Sequence, residues 1–240
     1  MTDEFDIPIG MRLYIIGDIH GRSDLLDQMV QVIHRDIEKH GWRDSLTITL
    51  GDYVDRGPDS HGVLERLVRN PFPGHYMALR GNHEVLFESF LQDGSYADMW
   101  RQLGGLETLH SYGVPVGEIM VGKGAQEAAR ALKLLVPKVH RAFLSSLKNS
   151  ISINGYFFCH AGVRPSVPLD RQSENDLFWI RDEFLTSEYD FGKMIIHGHS
   201  PHEWPEVKRN RVNIDTGAFA TGRLTCLVLE DGRGRFLFTA

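Results

Sequence analysis

Hydrophobic residues in the first ninety positions alternate between short runs of strand type and longer runs of helical type. The strand-type runs RLYIIG, SLTITLG and HYMALRG are each followed by a segment in which apolar residues recur every three or four positions. This alternation predicts βαβ units around a buried sheet. Each strand-type run ends in glycine, at Gly17, Gly51 and Gly81, and polar residues follow at once. We therefore expect those polar residues at the strand tips, where α/β sheets bind ligands.

The second half of the chain has a different pattern. Residues 99–147 predict helices, and we interpret them as a helical insert that covers one edge of the site and shapes the substrate groove. The runs SISINGYFFC, KMIIHGH, RVNIDTG, RLTCLVLE and RFLFTA then predict strands with little helix between them, and Asn154-Gly155 predicts a hairpin turn. The expected fold is α/β, with two mixed sheets packed as a sandwich and flanked by helices, in a single domain over residues 1–240.

Composition and charge narrow the classes of partner. A formal net charge of -6 argues against a surface that binds polyanions, so nucleic acid is not expected. The start, MTDEFDIPIGM, is too poor in apolar residues for a signal peptide, and no later run is long enough to span a bilayer. These features predict a cytoplasmic protein without a membrane partner. Cys159 and Cys226 lie in apolar runs, and we expect both to be buried and unpaired.

Five short polar motifs follow the predicted strands: GDIHG at 17–21, GDYVDRGPDS at 51–60, LRGNHE at 79–84, HAG at 160–162 and HGHS at 197–200. In the first, Asp18 and His20 lie two apart on a segment predicted to be extended, so both side chains would leave the same face and grip one ion. Each motif alone is equally typical of a turn or helix cap. Together, they favour an open metal site of carboxylate, imidazole and amide ligands, which suit manganese, iron or zinc.

In order and wording, these motifs resemble the metal-dependent phosphoprotein phosphatase family of serine/threonine type, within the calcineurin-like metallophosphoesterase superfamily. The similarity extends from Gly17 to about Thr216, and the WIR and GHSP elements resemble compact bacterial and phage members. The resemblance implies two divalent metal ions as cofactors, with a hydroxide between them as nucleophile. Manganese is the first choice for both ions, ahead of iron and zinc. It also implies the ligands: Asp18, His20 and Asp52 for the first ion, and Asp52, Asn82, His160 and His199 for the second, with Asp52 as the bridge.

The same resemblance assigns the catalytic side chains. His83 matches the general acid that protonates the leaving alkoxide, and Asp55 matches the carboxylate that orients it. Arg56 and Arg181 match the arginines that clamp phosphate oxygens, although the motif around Arg181 is placed by its order alone.

Several polar residues near the motifs have a simpler interpretation. His197 would share a face with His199 in a regular strand, so spacing leaves the choice between them open, and the resemblance selects His199. We expect Asp59 to cap a helix that begins near Ser60, Arg80 to pair with a carboxylate, and Asp215 to form a turn. We expect the aromatic residues Tyr156, Phe157, Phe158, Phe178 and Trp179 to pack in the core. We expect solvent exposure for most of the remaining histidines: His34, His40, His61, His75, His110, His140 and His202.

Three functions are compatible with these motifs. Hydrolysis of phosphoserine and phosphothreonine in a phosphorylated protein or peptide is favoured, because Asp55 and Glu84 follow the protein phosphatase pattern. Symmetrical hydrolysis of dinucleoside tetraphosphates is the alternative, since that bacterial group shares GDIHG and HAG. A catalytically silent metal-binding scaffold is disfavoured because His83 and both arginines are present. The sequence predicts no oligomeric state.

Overall fold

The computed structural model of the chain describes residues 10–239. The acidic start interpreted above, over residues 1–9, and the last residue of the RFLFTA run lie outside the described residues. The first half consists of β1 (Met11–Ile16), α1 (Ser23–His40), β2 (Asp44–Thr49), α2 (Ser60–Val68), β3 (His75–Ala78) and α3 (Asn82–Gln92). The insert consists of α4 (Ala97–Gln102), α5 (Gly105–Ser111), α6 (Gly117–Met120), α7 (Ala125–Leu135) and α8 (Lys138–Ser146).

The remaining elements form the whole of the second sheet and complete the first. They are β4 (Ser150–Ile153), β5 (Tyr156–Cys159), α9 (Glu174–Trp179), α10 (Asp182–Leu185), β6 (Met194–His197), β7 (Glu206–Val207), β8 (Arg211–Asn213), α11 (Ala218–Thr221), β9 (Thr225–Glu230) and β10 (Arg233–Phe238). Among the described residues, no helix combines the length and the apolar composition needed to cross a bilayer.

Two five-stranded mixed sheets confirm the predicted architecture. The first has the order β10-β9-β1-β2-β3 and the second the order β4-β5-β6-β8-β7. Strands β1, β2 and β3 run parallel, as do β5, β6 and β8, while the outer pairings are antiparallel. The carboxyl ends of parallel strands therefore meet at one edge of each sheet, which is where the polar motifs follow.

The core has three layers. Alternate residues of the central strands, such as Ile15 and Ile48 in the first sheet and Phe158 and Ile196 in the second, fill the space between the sheets and are fully buried. The helices from α1 to α8 cover the other face of the first sheet. Phe184 in α10 packs with the outward residues of β5 and β6 on the far side. The sandwich thus has helices on both outer faces.

Three local predictions can be compared directly with the structure. The hairpin at Asn154-Gly155 is confirmed, since β4 and β5 pair antiparallel and Asn154 has a φ of 46°. Asp59 caps α2, because its carboxylate accepts a hydrogen bond from the Gly62 N–H at 2.8 Å. The second half contains little helix, as expected, although the short helices α9 and α10 lie between β5 and β6. With six and four residues, these helices are too short to show a hydrophobic period.

Most of the remaining histidines are exposed, as expected, and His140 is the buried exception. Its ring is fully buried in α8, where Nδ1 lies 2.8 Å from the Tyr112 hydroxyl and Nε2 lies 3.1 Å from a Glu65 carboxylate oxygen. The polar partners that satisfy this ring come from α2 and the end of α5. Contacts between distant helices cannot be identified from the polar context of His140 in the sequence. Both cysteines are buried and free, as expected.

Candidate active site

The predicted ligand side chains all follow strands that meet at the same edge of the sandwich. The residues are Asp18 and His20 after β1, Asp52 after β2, Asn82 at the start of α3 after β3, His160 after β5, and His199 after β6. All six side chains are buried. The sheet topology therefore places residues from five distant motifs beside one another.

One group of donor atoms matches the set predicted for the second ion. Ligand atoms of Asp52, His160 and His199 all lie within 4.8 Å of one another. The Asn82 Oδ1 atom is 2.9 Å from His160 Nε2 and 2.9 Å from His199 Nδ1. His160 Nε2 is also 3.3 Å from Asp52 Oδ1. The structure brings all four predicted residues together.

A second group shares Asp52 with the first but differs from the predicted set. It consists of His20, Asp52 and His83, again with ligand atoms within 4.8 Å of one another. His20 Nε2 is 3.3 Å from Asp52 Oδ2, and His83 Nε2 is 3.8 Å from the same oxygen. Asp18 lies at the border of the two groups, where its carboxylate accepts a hydrogen bond from the His199 backbone N–H at 3.0 Å. Distance alone thus allows His83 as a ligand as well as an acid.

The protonation pattern of the histidines fits a cation. His20 Nδ1 lies 2.9 Å from the Val54 carbonyl, and His160 Nδ1 lies 2.9 Å from the Leu50 carbonyl. A carbonyl only accepts hydrogen bonds, so each Nδ1 carries a proton and each Nε2 faces the Asp52 carboxylate. The buried His20 Nε2 makes no hydrogen bond in the described structure. In the neutral form of both rings, these two Nε2 atoms would be placed to bind a divalent ion together with Asp52.

The electrostatics of the protein groups in the cluster also favour added positive charge. Burial favours a neutral His160 ring, yet the Asp52 carboxylate raises the pKa of His160 to about 9. Burial and the neighbouring His160 lower the pKa of His199 to about 2. Burial and Asp215 raise the pKa of Asp18 well above its ordinary value. The raised pKa values of His160 and Asp18 show that this cluster of buried acceptors favours a bound cation.

Several site residues have an unusual backbone conformation. The φ angle is positive at His20, Asp52, Asp55, Arg56 and His199, with values of 45°, 53°, 72°, 68° and 64°. Non-glycine residues rarely adopt this region, and such strain concentrates at functional sites. The prediction that Asp18 and His20 lie on one extended segment is wrong, because the chain leaves strand geometry after Ile16 and turns at His20.

His83 and Asp55 form a buried pair beside the two groups. His83 Nδ1 donates to Asp55 Oδ2 at 2.7 Å, and both side chains are fully buried. The other ring nitrogen, Nε2, accepts a hydrogen bond from Arg56 Nη2 at 3.1 Å. The Arg56 guanidinium also lies over the Phe219 ring, 4.9 Å from its centre. The DRG triplet and the GNHE motif are thus in direct contact, as the predicted roles require.

Arg181 lies near His199. Its guanidinium Nη1 lies 3.4 Å from the Ser200 hydroxyl, next to His199. Arg181 is exposed, so its side chain can reach a bound anion. The buried His197 points elsewhere, since its Nε2 lies 3.4 Å from Arg211 Nη1 and its ring packs against Phe184. The structure therefore brings His199, and not His197, into the cluster.

Two residues that the sequence left outside the site were expected to have structural roles. Asp215 forms the expected turn, because its carboxylate accepts from the Gly217 N–H at 2.9 Å, but it is also buried near Asp18. Arg80 pairs with Glu88 and donates to the Leu144 carbonyl at 2.8 Å. The expected structural role of Arg80 is confirmed, while Asp215 adds negative charge beside a predicted ligand.

Sequence reasoning missed two aromatic side chains at the rim. The Phe219 ring contacts His20 edge-on at 5.5 Å, and the Trp179 ring lies 6.4 Å from that of His199. Phe178 is buried as expected, whereas Trp179 is only half-buried. Consecutive residues of a helix point about 100° apart, so in α9 the two neighbouring aromatics of FWIR cannot both face the core directly.

Comparison with known proteins gives a consistent result. The family model described as calcineurin-like phosphoesterase matches residues 11–222. Serine/threonine-protein phosphatase 1 of Salmonella typhimurium is 32% identical over 218 residues, which is 89% of each chain. The asymmetrical bis(5'-nucleosyl)-tetraphosphatase PrpE of Bacillus cereus is 26% identical over 240 residues, 90% of each chain. A crystal structure of a cold-active protein-tyrosine phosphatase from a psychrophilic Shewanella species is similar in fold, with a TM-score of 0.64, 15% identity and coverage of 100% of this chain and 83% of that one.

Proposed function

This chain belongs to the calcineurin-like phosphoesterase family, and we propose that within it the protein hydrolyses phosphoserine and phosphothreonine in protein substrates. The observation that carries this proposal is the buried contact of 2.7 Å between His83 and Asp55. A serine or threonine leaves phosphorus as an alkoxide, which needs a proton from a positioned acid. The leaving group of a dinucleoside tetraphosphate is a nucleotide phosphate, which is already stable as an anion. A proton donor held in place by Asp55 therefore favours a substrate whose leaving group is an alkoxide.

The donor set fits two divalent ions. We assign Asp18, His20 and Asp52 to the first and Asp52, Asn82, His160 and His199 to the second. When bound, the ions supply neutralisation of phosphoryl oxygens and acidify a water molecule. Imidazole, amide and carboxylate ligands suit manganese, with iron and zinc as alternatives.

The protein side chains have separate tasks in this proposal. Arg56 and Arg181, which both lie beside the cluster, bind phosphate oxygens through their planar guanidinium groups. In the structure, Arg56 donates to His83 Nε2, so that nitrogen presents a lone pair. To act as the acid, Nε2 must carry a proton, and Arg56 must turn from the ring to the phosphate. Substrate binding thus frees the proton donor, while Asp55 holds its other nitrogen.

The proposal extends to location and partner. Cys159 and Cys226 are both buried and free, as in proteins of reducing compartments, and this supports a cytoplasmic location. The partner is a phosphorylated protein or peptide that docks at the cluster, with Trp179 and Phe219 at the rim of the site.

A comparison of three substrates tests the function. Purified protein with Mn²⁺ is offered a phosphoserine peptide, p-nitrophenyl phosphate and diadenosine tetraphosphate, and kcat/KM is measured for each. We expect efficient turnover of the peptide and the aryl ester. The variant His83→Asn should reduce kcat for the peptide by about 10² to 10⁴, the usual contribution of a general acid, and affect p-nitrophenyl phosphate far less. Turnover of the dinucleotide alone would reject the proposed substrate class.

A further inference from the structure

The Asp55 carboxylate is held by two donors besides His83. Its Oδ1 atom accepts from the Thr108 hydroxyl at 2.6 Å, and its Oδ2 atom accepts from the Trp100 indole N–H at 2.8 Å. The Thr108 oxygen in turn accepts from the Asp55 backbone N–H at 2.9 Å. All of these groups are buried. A buried carboxylate needs such partners, and a filled set of hydrogen bonds leaves it one orientation.

Both donors belong to the helical insert. Trp100 lies in α4 and Thr108 in α5, and the Gly104 carbonyl between them accepts from the Arg56 backbone N–H at 3.0 Å. Gly104 has a φ of +100°, and a Cβ atom there would lie 2.6 Å from the Arg56 nitrogen. The insert therefore grips the side chain of Asp55 and the backbone of Arg56. These are two of the residues whose positive φ angles need support from their surroundings.

We propose that Trp100 and Thr108 are positioning residues for the proton donor, so that the helical insert takes part in leaving-group protonation through Asp55 and His83. This inference rests on the proposed role of His83. In the step concerned, the oxygen of a water molecule bonds to phosphorus and its proton passes to solvent. The bond from phosphorus to the leaving oxygen breaks, and that oxygen takes the proton from His83 Nε2. The Nδ1 proton stays on the hydrogen bond to Asp55.

Removal of one donor should loosen this chain of contacts. In Trp100→Phe, Oδ2 keeps only the bond from His83, and in Thr108→Val, Oδ1 loses its hydroxyl donor. The carboxylate can then rotate, and the imidazole loses its fixed direction. An alkoxide leaving group depends on that direction, whereas a nitrophenolate leaves without a proton. The ratio of kcat for a phosphoserine peptide to kcat for p-nitrophenyl phosphate therefore reports positioning of the acid, and it cancels any loss of folded enzyme.

The experiment compares four single variants with the wild type at saturating Mn²⁺. We expect Trp100→Phe and Thr108→Val to lower the kcat ratio about tenfold or more, the scale on which outer hydrogen-bond partners of site histidines act. Thr108→Ser keeps the hydroxyl and should restore the ratio. Phe90→Leu is the matched control, because the Phe90 ring packs on Trp100 at 4.6 Å and is an apolar contact only. It should leave the ratio as in the wild type. A single ratio for all variants would overturn the inference.

A double-mutant cycle separates this inference from the function on which it rests. With His83→Asn as background, Trp100→Phe should lower the ratio no further, because the residue that it positions is gone. A full additional loss in that background would show that Trp100 acts by another route. If His83→Asn itself left the ratio unchanged, the acid assignment and this inference would both fail. If His83→Asn lowered it but Trp100→Phe and Thr108→Val did not, only the inference would fail.

Discussion

Asp52 is the one residue common to both groups of donor atoms, so neutralising its carboxylate should weaken both metal sites together. In Asp52→Asn, the amide keeps the size of the side chain, and asparagine tolerates the φ of 53° at this position. At an effective dielectric constant of about 20, two unit charges about 4 Å apart attract by about 4 kcal/mol, and a divalent ion doubles this. Even a quarter of the doubled attraction, about 2 kcal/mol, is about 30-fold in a dissociation constant.

The assay is a titration of chelator-stripped protein with Mn²⁺ by calorimetry, with bound metal counted by elemental analysis. We expect two ions in the wild type and at least about a 30-fold weaker affinity for each in Asp52→Asn. Asp59→Asn is the matched control, since it makes the same chemical change seven residues away, where asparagine caps α2 as well as aspartate does. Two ions held by Asp52→Asn with wild-type affinity would refute the bridge, and loss of only one would place Asp52 in a single metal site.

Three further predictions concern the surroundings of the cluster. His83→Asn should retain both ions in elemental analysis, and loss of an ion would identify His83 as a ligand. Gly198→Ala should lower metal affinity at least about tenfold, because the new Cβ atom would lie 2.1 Å from Asp18 Oδ1, whereas Gly117→Ala, with open space around it, should change nothing in the same titration. Burial raises the pKa of Glu84 from 4.5 to about 7, so the folded state binds a proton that the unfolded state has released. The contribution of Glu84 to the free energy of unfolding of chelator-stripped protein should therefore fall as the pH rises from about 4.5 to about 7. Urea unfolding should show that Glu84→Gln removes this part of the pH dependence.

The sheets and the positions of the proposed ligands at strand ends were predictable because they depend on local patterns. Runs of β-branched residues that end in glycine define β1 and β2, and the polar residue after each run falls at a strand end wherever the strands are parallel. The conformation of His20 was not predictable, because its positive φ is stabilised by contacts with a distant loop. Its backbone N–H donates to the Asp52 carbonyl at 2.8 Å, and its ring donates to that of Val54.

The role of the insert could not be predicted from sequence for a related reason. Trp100 and Thr108 lie 45 and 53 positions after Asp55, in helices whose patterns indicate only an apolar face. A tryptophan and a threonine at such positions are typical of core packing. Only the fold shows that the polar atom of each side chain meets the same carboxylate. Sequence motifs identify the groups that touch substrate or metal better than they identify the groups that hold them.

Asp55 and Glu84 both favoured a protein phosphatase over a tetraphosphatase in the sequence, but in the structure they have different roles. Glu84 is fully buried, and its carboxylate accepts from the backbone N–H groups of Asp52, Tyr53 and Gly81 at 2.8–2.9 Å. It ties the loop after β2 to the start of α3, so Glu84 acts on the scaffold of the site. Asp55, in contrast, bonds the proposed proton donor itself. A requirement for proton donation to the leaving group follows from Asp55 and not from Glu84, and the choice of substrate class rests chemically on that one carboxylate.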